Sequence, residues 1–337
     1  MLFVKRKWSS IRWLFTGGSG GCRASGDAGR SAVASDSVAR QNDRKRFVVD
    51  TEASSNDHRL DQVRRAALVE WEAIAPGWER RREYLREFSQ GITDWMVARL
   101  DPQPGQTILE LGAGTGETGF AAARLIGDSG RLISTDLPPG MVEVAKRRAE
   151  ELGVENAEFR VVDAEHIDLA SGSVDGILCR WAYMLMPDPA AALAESRRVL
   201  RPGGRLALAV MGGPAQNPWA SSVAMSIVGL GLIPPIDPKA AGGVFSLADP
   251  GDLRELLLRA GFDDVRIEEM EFHLRFSDFE DYWSFVREFA GAVAILLRSF
   301  SDEERAAVRE ATERATEGFR TAEGYDLPGL SINALAT

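Results

Sequence analysis

Sulfur ligands and imidazoles are scarce in this chain. Two cysteines, Cys22 and Cys179, and three histidines, His58, His166 and His273, are spread over 337 residues. Cysteines that far apart make neither a disulfide framework nor a Cys-x-x-Cys metal pattern. The histidines show no ligand spacing, so no metal is expected. A reducing cytoplasm suits such a chain. Long apolar runs are also missing. The uncharged stretch Leu206 to Ile236 is broken by Gly212-Gly213-Pro214 and Pro218, and its apolar part, Met225–Leu232, is too short for a bilayer. No transmembrane segment is expected. Positive charge is in short supply as well. Residues 1–50 hold ten Lys/Arg against four Asp, about +6, so with a net charge of −10 the remainder carries about −16. A body that acidic is a poor partner for phosphate backbones, and nucleic acid is disfavoured as a substrate. The length allows one large domain or two small ones, with ample core.

What is present is concentrated at residues 108–116, Ile-Leu-Glu-Leu-Gly-Ala-Gly-Thr-Gly. A strand-like run meets an acid, Glu110, then glycines at alternate positions, Gly112, Gly114 and Gly116, and a helix over Thr118–Leu125. Glycine lets the backbone turn tightly and a ligand approach closely. Gly114, Gly116 and Gly119 also fit the dinucleotide GxGxxG pattern. Against a pyrophosphate stands Glu117, at the helix start where a phosphate would sit. Glu110 adds a second negative charge. An acidic glycine pocket suits a cationic cofactor such as S-adenosylmethionine. Further strands are expected over Arg131–Thr135, Phe159–Val162, Val174–Cys179 and Arg205–Val210, the last entered by the turn Arg201-Pro202-Gly203-Gly204. Asp136 ends the second strand, where it can accept from a ribose diol; it also precedes the helix Gly140–Leu152 and could cap it, and both roles can coexist. Asp163-Ala164 ends the third, where an acid can accept from an adenine amino group. The rhythm predicts an α/β fold, a parallel sheet covered on both faces.

These pieces, in this order, resemble the class I S-adenosylmethionine-dependent methyltransferases, in particular the UbiE-like (methyltransferase type 11) group. The resemblance rests on Glu110–Gly116, Asp136-Leu-Pro-Pro-Gly-Met141, Asp163-Ala-Glu165, Met186-Pro-Asp-Pro189 and Arg198–Arg205, and covers about residues 105–211. It implies a Rossmann-like doubly wound sheet, mostly parallel with an antiparallel last strand, carrying helical cap insertions. It implies that Gly112, Gly114 and Gly116 wrap the methionine part of the cofactor, that Asp136 meets the ribose, and that Asp163 and Ala164 meet the adenine. Leu137 and Met141 would pack near the adenosine, and Cys179 and Arg180 would stand beside the amino-acid moiety. The Cys179 thiol itself reads as a small buried apolar group.

Four stretches are expected: a disordered basic segment, 1–57; opening cap helices, 58–104; the cofactor-binding core, 105–211; and 212–337, the rest of the core with a substrate cap. The first contains Lys5-Arg-Lys7, Trp8 and Trp13, and also suits a transit peptide or a weak anionic-membrane contact. In the second, Leu60–Ile74 is a helix, Ala75-Pro-Gly-Trp78 interrupts it, and Glu79–Leu100 continues. Trp71 and Trp78 are candidates both for the pocket and for the core, and residues 79–83 read as a solvated charged face. In the last, Asp249–Ala260 is a helix, Phe262–Met270 a strand, Ser301–Glu304 a capping box opening Glu303–Phe319, and Leu330–Ala336 a final antiparallel strand at a sheet edge. The apolar, aromatic cap predicts a small, partly hydrophobic organic acceptor; a dimer interface is the other reading, and monomer or homodimer stays open.

Methyl transfer from a sulfonium needs alignment and dryness more than a protein nucleophile. No compelling base is visible. Candidates near the fourth strand are Arg180 for an anionic group, Trp181 for an aromatic wall and Tyr183 for a hydrogen bond to the acceptor. The family often carries Phe or Asn where Trp181 stands, so no family role transfers there. Two other readings remain: a nicotinamide-dependent oxidoreductase, though Tyr183 is not followed by the lysine of a Tyr-x-x-x-Lys pair, and a catalytically inactive S-adenosylmethionine-binding module.

Overall fold

The computed structural model describes residues 60–289 and 291–337. The basic segment 1–57, with Cys22, and His58 lie outside the described residues. Helix α1 spans 60–80 and α2 Arg82–Leu100. The core then alternates: β1 Thr107–Leu111, α3 Glu117–Ile126, β2 Arg131–Asp136, α4 Pro139–Leu152, β3 Ala157–Val161, β4 Val174–Arg180, α5 Pro189–Val199 and β5 Leu200–Met211. Short links between apolar strands force right-handed crossovers and parallel pairing. β1 pairs β2 and β4, β2 pairs β3, and β4 pairs β5, all parallel. The central strands have little solvent contact on either face: Ile108, Leu109, Ile177 and Leu178 are fully buried, whereas the edge strand β3 is half-buried. That is the signature of a sheet covered on both sides.

The sheet order is β3-β2-β1-β4-β5-β8-β6, with β6 Arg266–Phe276 and β8 Gly324–Ala336, and the two-residue β7, Arg320–Thr321, pairing β8. The order reverses between β1 and β4, so the crevice above their carboxyl ends is the expected ligand position. The Arg201–Gly204 turn lies inside β5 as a bulge: Val174 pairs Leu200, but Gly176 pairs Arg205.

Two expectations need correction here. The last strand is antiparallel, but it is not at the edge; β8 lies between β5 and β6 and pairs antiparallel with both. β8 is buried through Ser331–Ala334, whereas β6 alternates buried apolar residues with Glu269, Glu271, His273 and Arg275, so the charged strand takes the edge. β6 also starts and ends later than Phe262–Met270. The second correction concerns Pro76. The helix runs through it, with the Pro76 ring on the exposed side. Gly77 is not a breaker either: a Cβ there would stand 2.5 Å from the Glu288 carbonyl oxygen, so the missing side chain allows close helix packing. The charged run that follows is paired rather than merely solvated. Arg81 binds Asp281 at 2.9 Å and Glu79 binds Arg147 at 2.8 Å.

Beyond β5 come α6 Pro218–Gly229, α7 Pro250–Arg259, α8 Phe279–Phe289, α9 Gly291–Ser299 and α10 Asp302–Thr316. Asp249 caps α7 and the Ser301/Glu304 box caps α10. α10 packs on α6, and the Tyr282 hydroxyl donates to the Trp219 carbonyl at 2.8 Å. One apolar face of α8, with Phe279, Tyr282, Phe285 and Phe289, joins this helical layer to the sheet. No helix among the described residues is long and apolar enough to cross a membrane.

Candidate cofactor and acceptor cavity

A cavity of about 1050 Å³, counted out to its open mouth, lies over the switch point. Its floor is the glycine loop. Gly112 has φ 62° and Gly114 φ 56°, a region that side-chain-bearing residues rarely occupy. A Cβ on Gly112 would stand 2.4 Å from the Ala182 Cβ, and one on Gly114 3.2 Å from the Trp78 ring. Gly116 turns the chain into α3 and lies under Phe120 rather than on the wall.

Two acids hold this floor in place. Glu110 Oε1 accepts from the Gly119 amide at 2.7 Å and Oε2 from the Ser134 hydroxyl at 3.1 Å. Burial pushes its carboxyl up to about 8. Asp136 accepts from the amides of Gly114 and Leu137, both at 2.8 Å, and burial pushes it up to about 6. The capping alternative for Asp136 is not what forms: α4 has no side-chain cap on its first turn, and the Gly140 amide donates instead to Glu72 of α1 at 2.9 Å. Glu117 needs a similar correction. Its carboxylate faces away, paired with Arg148 at 2.9 Å, so the acidity felt by a ligand comes from Glu110 and Asp136.

Of the residues singled out in the sequence, Glu110, Gly112, Gly114, Asp136, Leu137, Met141, Ala164, Arg180 and Trp181 meet on the cavity wall. Four do not. Gly116 shapes the turn. The Asp163 carboxylate accepts from the Glu165 amide at 2.9 Å and pairs with Arg64 Nε of α1 at 3.0 Å, and Arg64 also binds Glu165. Cys179 is fully buried beneath the wall, and burial pushes its thiol up, away from thiolate chemistry. Tyr183 is likewise buried, its hydroxyl bonded to Ser196 at 2.6 Å, which removes it as a partner for an acceptor. His166 stays on the surface.

Arg180 enters the cavity with Nε donating to Thr118 Oγ1 at 2.9 Å and its guanidinium 5.2 Å from the Trp181 ring centre. Trp181 has φ 58°, a strained conformation for a bulky residue and one that typically costs about 1–3 kcal/mol. It is held there from three sides. Its amide donates to the Ala209 carbonyl at 2.8 Å, its indole donates to Ser331 at 3.0 Å, and its ring stacks on Phe88 and lies tilted against Phe272. The roof comes from α1, α2 and α8: Trp71 and Trp78, Phe88 and Phe289, with Trp78 stacked on Phe289 at 4.4 Å. Phe88 and Phe289 were not singled out as wall residues. Their helical periodicity marks an inward face, but nothing local says which cavity that face meets.

One acid of α1 has no charge partner among the described residues to offset its burial. Glu70 of α1 faces Gly291, and burial alone pushes its carboxyl up to about 7. The folded protein therefore keeps this proton to higher pH than the unfolded chain does. The stability it contributes is complete below about pH 4.5 and is lost as pH rises through 7. Glu70→Gln is expected to leave the melting temperature unchanged at pH 5 and to raise it at pH 8.5 by roughly 2 °C, the equivalent of about 1 kcal/mol. Equal melting curves at pH 8.5 would remove this role.

The residues fit a cationic nucleoside cofactor. The glycine floor is a cradle that Cβ atoms would fill, two carboxylates border it, and the buried Trp78 Nε1 has no hydrogen-bond partner among the described residues. A Rossmann-like domain with an acid-lined glycine floor at its switch point is thus the class that fold and site define. The comparisons agree. Residues 102–224 match the model of a methyltransferase domain family. The chain is 30% identical over 213 residues to a ubiquinone biosynthesis O-methyltransferase of Xanthomonas axonopodis pv. citri, covering 62% of this chain and 82% of that one. It is 33% identical over 165 residues to an arsenite methyltransferase of Halobacterium salinarum, covering 49% of this chain and 39% of the relative. Among solved structures, the YcgJ protein of Bacillus subtilis superposes with a TM-score of 0.50 at 20% identity, over 72% of this chain and 96% of that one. The chain belongs to the class I S-adenosylmethionine-dependent methyltransferases, whose cofactor is S-adenosylmethionine. It spans only 39%, 33% and 55% of three relatives that match well over their shared part.

Proposed function

We propose that the protein transfers a methyl group from S-adenosylmethionine to a small, partly hydrophobic organic acceptor. The observation that carries this reading is the division of one cavity into two chemistries. One side is the glycine floor with Glu110 and Asp136; the other is a roof of Trp71, Trp78, Phe88, Phe289 and Trp181. Gly112, Gly114, Asp136, Leu137, Met141 and Ala164 hold the cofactor in this reading. Gly116 sets the turn, Cys179 fills the space beneath, and Asp163 positions the adenine end from behind Ala164. When bound, the cofactor supplies a methyl group already activated by positive sulfur. What remains for the protein is alignment and exclusion of water. The aromatic roof does the second. Trp181, fixed by Ser331 and stacked under Phe88, provides a rigid wall for the first. No side chain in the cavity is placed as an obligatory nucleophile. In this reading residues 105–211 form the cofactor half, the helices before residue 105 belong to the cap, and 212–337 completes the core with β6 and β8 and supplies the rest of the cap. A cytoplasmic setting suits the buried, unpaired Cys179 thiol.

Titration calorimetry with S-adenosylmethionine, S-adenosylhomocysteine and NADH tests the cofactor, and a methylation screen over small acceptors tests the transfer. Micromolar binding of the adenosyl compounds with none of NADH is the expected result. NADH binding in their place would end this reading, and binding without turnover on any acceptor would leave a non-catalytic module.

A further inference from the structure

The antiparallel end of the sheet reaches the cavity through one side chain. Among the described residues none of β5, β6 or β8 stands on the cavity wall, yet Trp181 of that wall is anchored to all of them. Its amide donates to the Ala209 carbonyl of β5 at 2.8 Å, and its ring lies against Phe272 of β6. Its indole Nε1 donates to Ser331 Oγ of β8 at 3.0 Å. An indole nitrogen only donates, so Ser331 must accept this bond and turn its own hydrogen elsewhere. That hydrogen goes to Asn333 Oδ1 at 2.6 Å; the other acceptor within reach, the Val210 carbonyl, is 3.5 Å away. The Asn333 amide in turn donates to the Met270 thioether of β6. The bonds thus run one way, from the ring into the sheet.

Ser331 and Asn333 are fully buried, in a strand whose neighbouring Ile332 and Ala334 are apolar. A polar pair in a sheet interior costs desolvation that its hydrogen bonds at best offset, and an apolar pair of like shape would serve stability as well. What a fully satisfied buried network adds is one fixed geometry. Trp181 is the side chain that needs it. At φ 58° a bulky residue stays only where its surroundings hold it. The ring's contacts with Phe88, Phe272 and the Arg180 guanidinium let it slide and tilt, whereas the bond to Ser331 is directional. Resting on the reading above, we infer that Ser331 and Asn333 are positioning residues for the acceptor: touching neither ligand, they lock the Trp181 ring and so set the shape of the acceptor side of the cavity.

The test reads the two sides of the cavity separately. Calorimetry with S-adenosylhomocysteine reports the cofactor side. Titration of 2-naphthol into protein saturated with S-adenosylhomocysteine reports the acceptor side. Wild type is compared with Ser331→Ala, Asn333→Leu, the double variant and Ser331→Thr, and melting curves check that each folds. Ser331→Ala should weaken naphthol by about 10-fold, what one lost buried hydrogen bond is worth, and S-adenosylhomocysteine by less than about threefold. Asn333→Leu should weaken naphthol less, by about threefold, because Ser331 still accepts from the indole. The double variant should be no worse than Ser331→Ala, since one relay is already broken; independent packing defects would add. Ser331→Thr keeps the hydroxyl and should restore most of the affinity. In protein labelled with 5-fluorotryptophan, the Trp181 fluorine signal, assigned by its loss in Trp181→Phe, should be a single sharp line in wild type and should shift or broaden in Ser331→Ala. An unmoved signal, a naphthol affinity that Ser331→Ala leaves unchanged, or losses that add in the double variant would overturn the relay. Wild type that binds S-adenosylhomocysteine but no naphthol overturns it as well, by putting Trp181 off the acceptor side. Wild type that binds no adenosyl compound brings down the cofactor reading instead.

Discussion

Gly114→Val should weaken S-adenosylhomocysteine binding by about 100-fold or more while the chain still folds cooperatively. Three effects combine at this one position. The backbone has φ 56°, where a β-branched residue is strained by about 1–3 kcal/mol. The new Cβ would stand 3.2 Å from the Trp78 ring, so either the loop or the tryptophan must shift. The two methyls would then project into the space above the floor. Strain and crowding also act on the Gly114 amide, which holds Asp136 at 2.8 Å. A displaced loop thus takes the second acid with it. The sheet beneath is buffered from this, because Ile108, Leu109 and Leu111 of β1 keep their burial. Calorimetry measures the affinity and a thermal melt measures the fold. An affinity within a factor of three of wild type, in a variant that melts normally, would show that the ligand lies elsewhere.

The floor of this site was legible because its constraints are local. Glu110, the three glycines and the following helix are consecutive, and a parallel strand buried on both faces reads as an unbroken apolar run. The strand ends at Asp136 and Arg180 were legible for the same reason. The roof was not. Whether Trp78 lines a pocket depends on Phe289, more than two hundred residues away, and on a Gly77 that reads as a breaker until Glu288 packs against it. The engagement of Asp163 by Arg64 is equally non-local, since α1 folds back over the end of β3. The place of β8 inside the sheet was illegible from its own residues. Its pairing with β5 joins Leu206 to Ala336, and only the contrast with the charged face of β6 settles which strand takes the edge.

Asp136 carries the second large effect, and pH reveals it. Its carboxylate is held by two amides, yet burial still dominates and pushes it up to about 6. The ligand-free protein therefore takes up a proton there as pH falls from about 7 to 5, because the buried charge has no ion-pair partner among the described residues. A cationic ligand favours the ionised form. Binding and deprotonation are then linked, and affinity for S-adenosylmethionine should rise as pH increases through 6. With a free-state value near 6, only about one molecule in ten is ionised at pH 5, so affinity at pH 5 should be about tenfold weaker than at pH 7. The stability of the free protein runs the other way: this carboxyl favours the fold below about pH 4, and that contribution is lost as pH rises through 6. Asp136→Asn should flatten the binding profile between pH 5 and 7 and keep the acceptor for one of the two amides. Asp136→Ala should flatten it too and weaken binding at pH 7 by about 1–3 kcal/mol, since both amides then lose their partner. Calorimetry across this range in buffers of different ionisation enthalpy would count the proton released. A wild-type affinity that is constant from pH 5 to 7, with no proton released, would reduce Asp136 to a strut for the glycine loop.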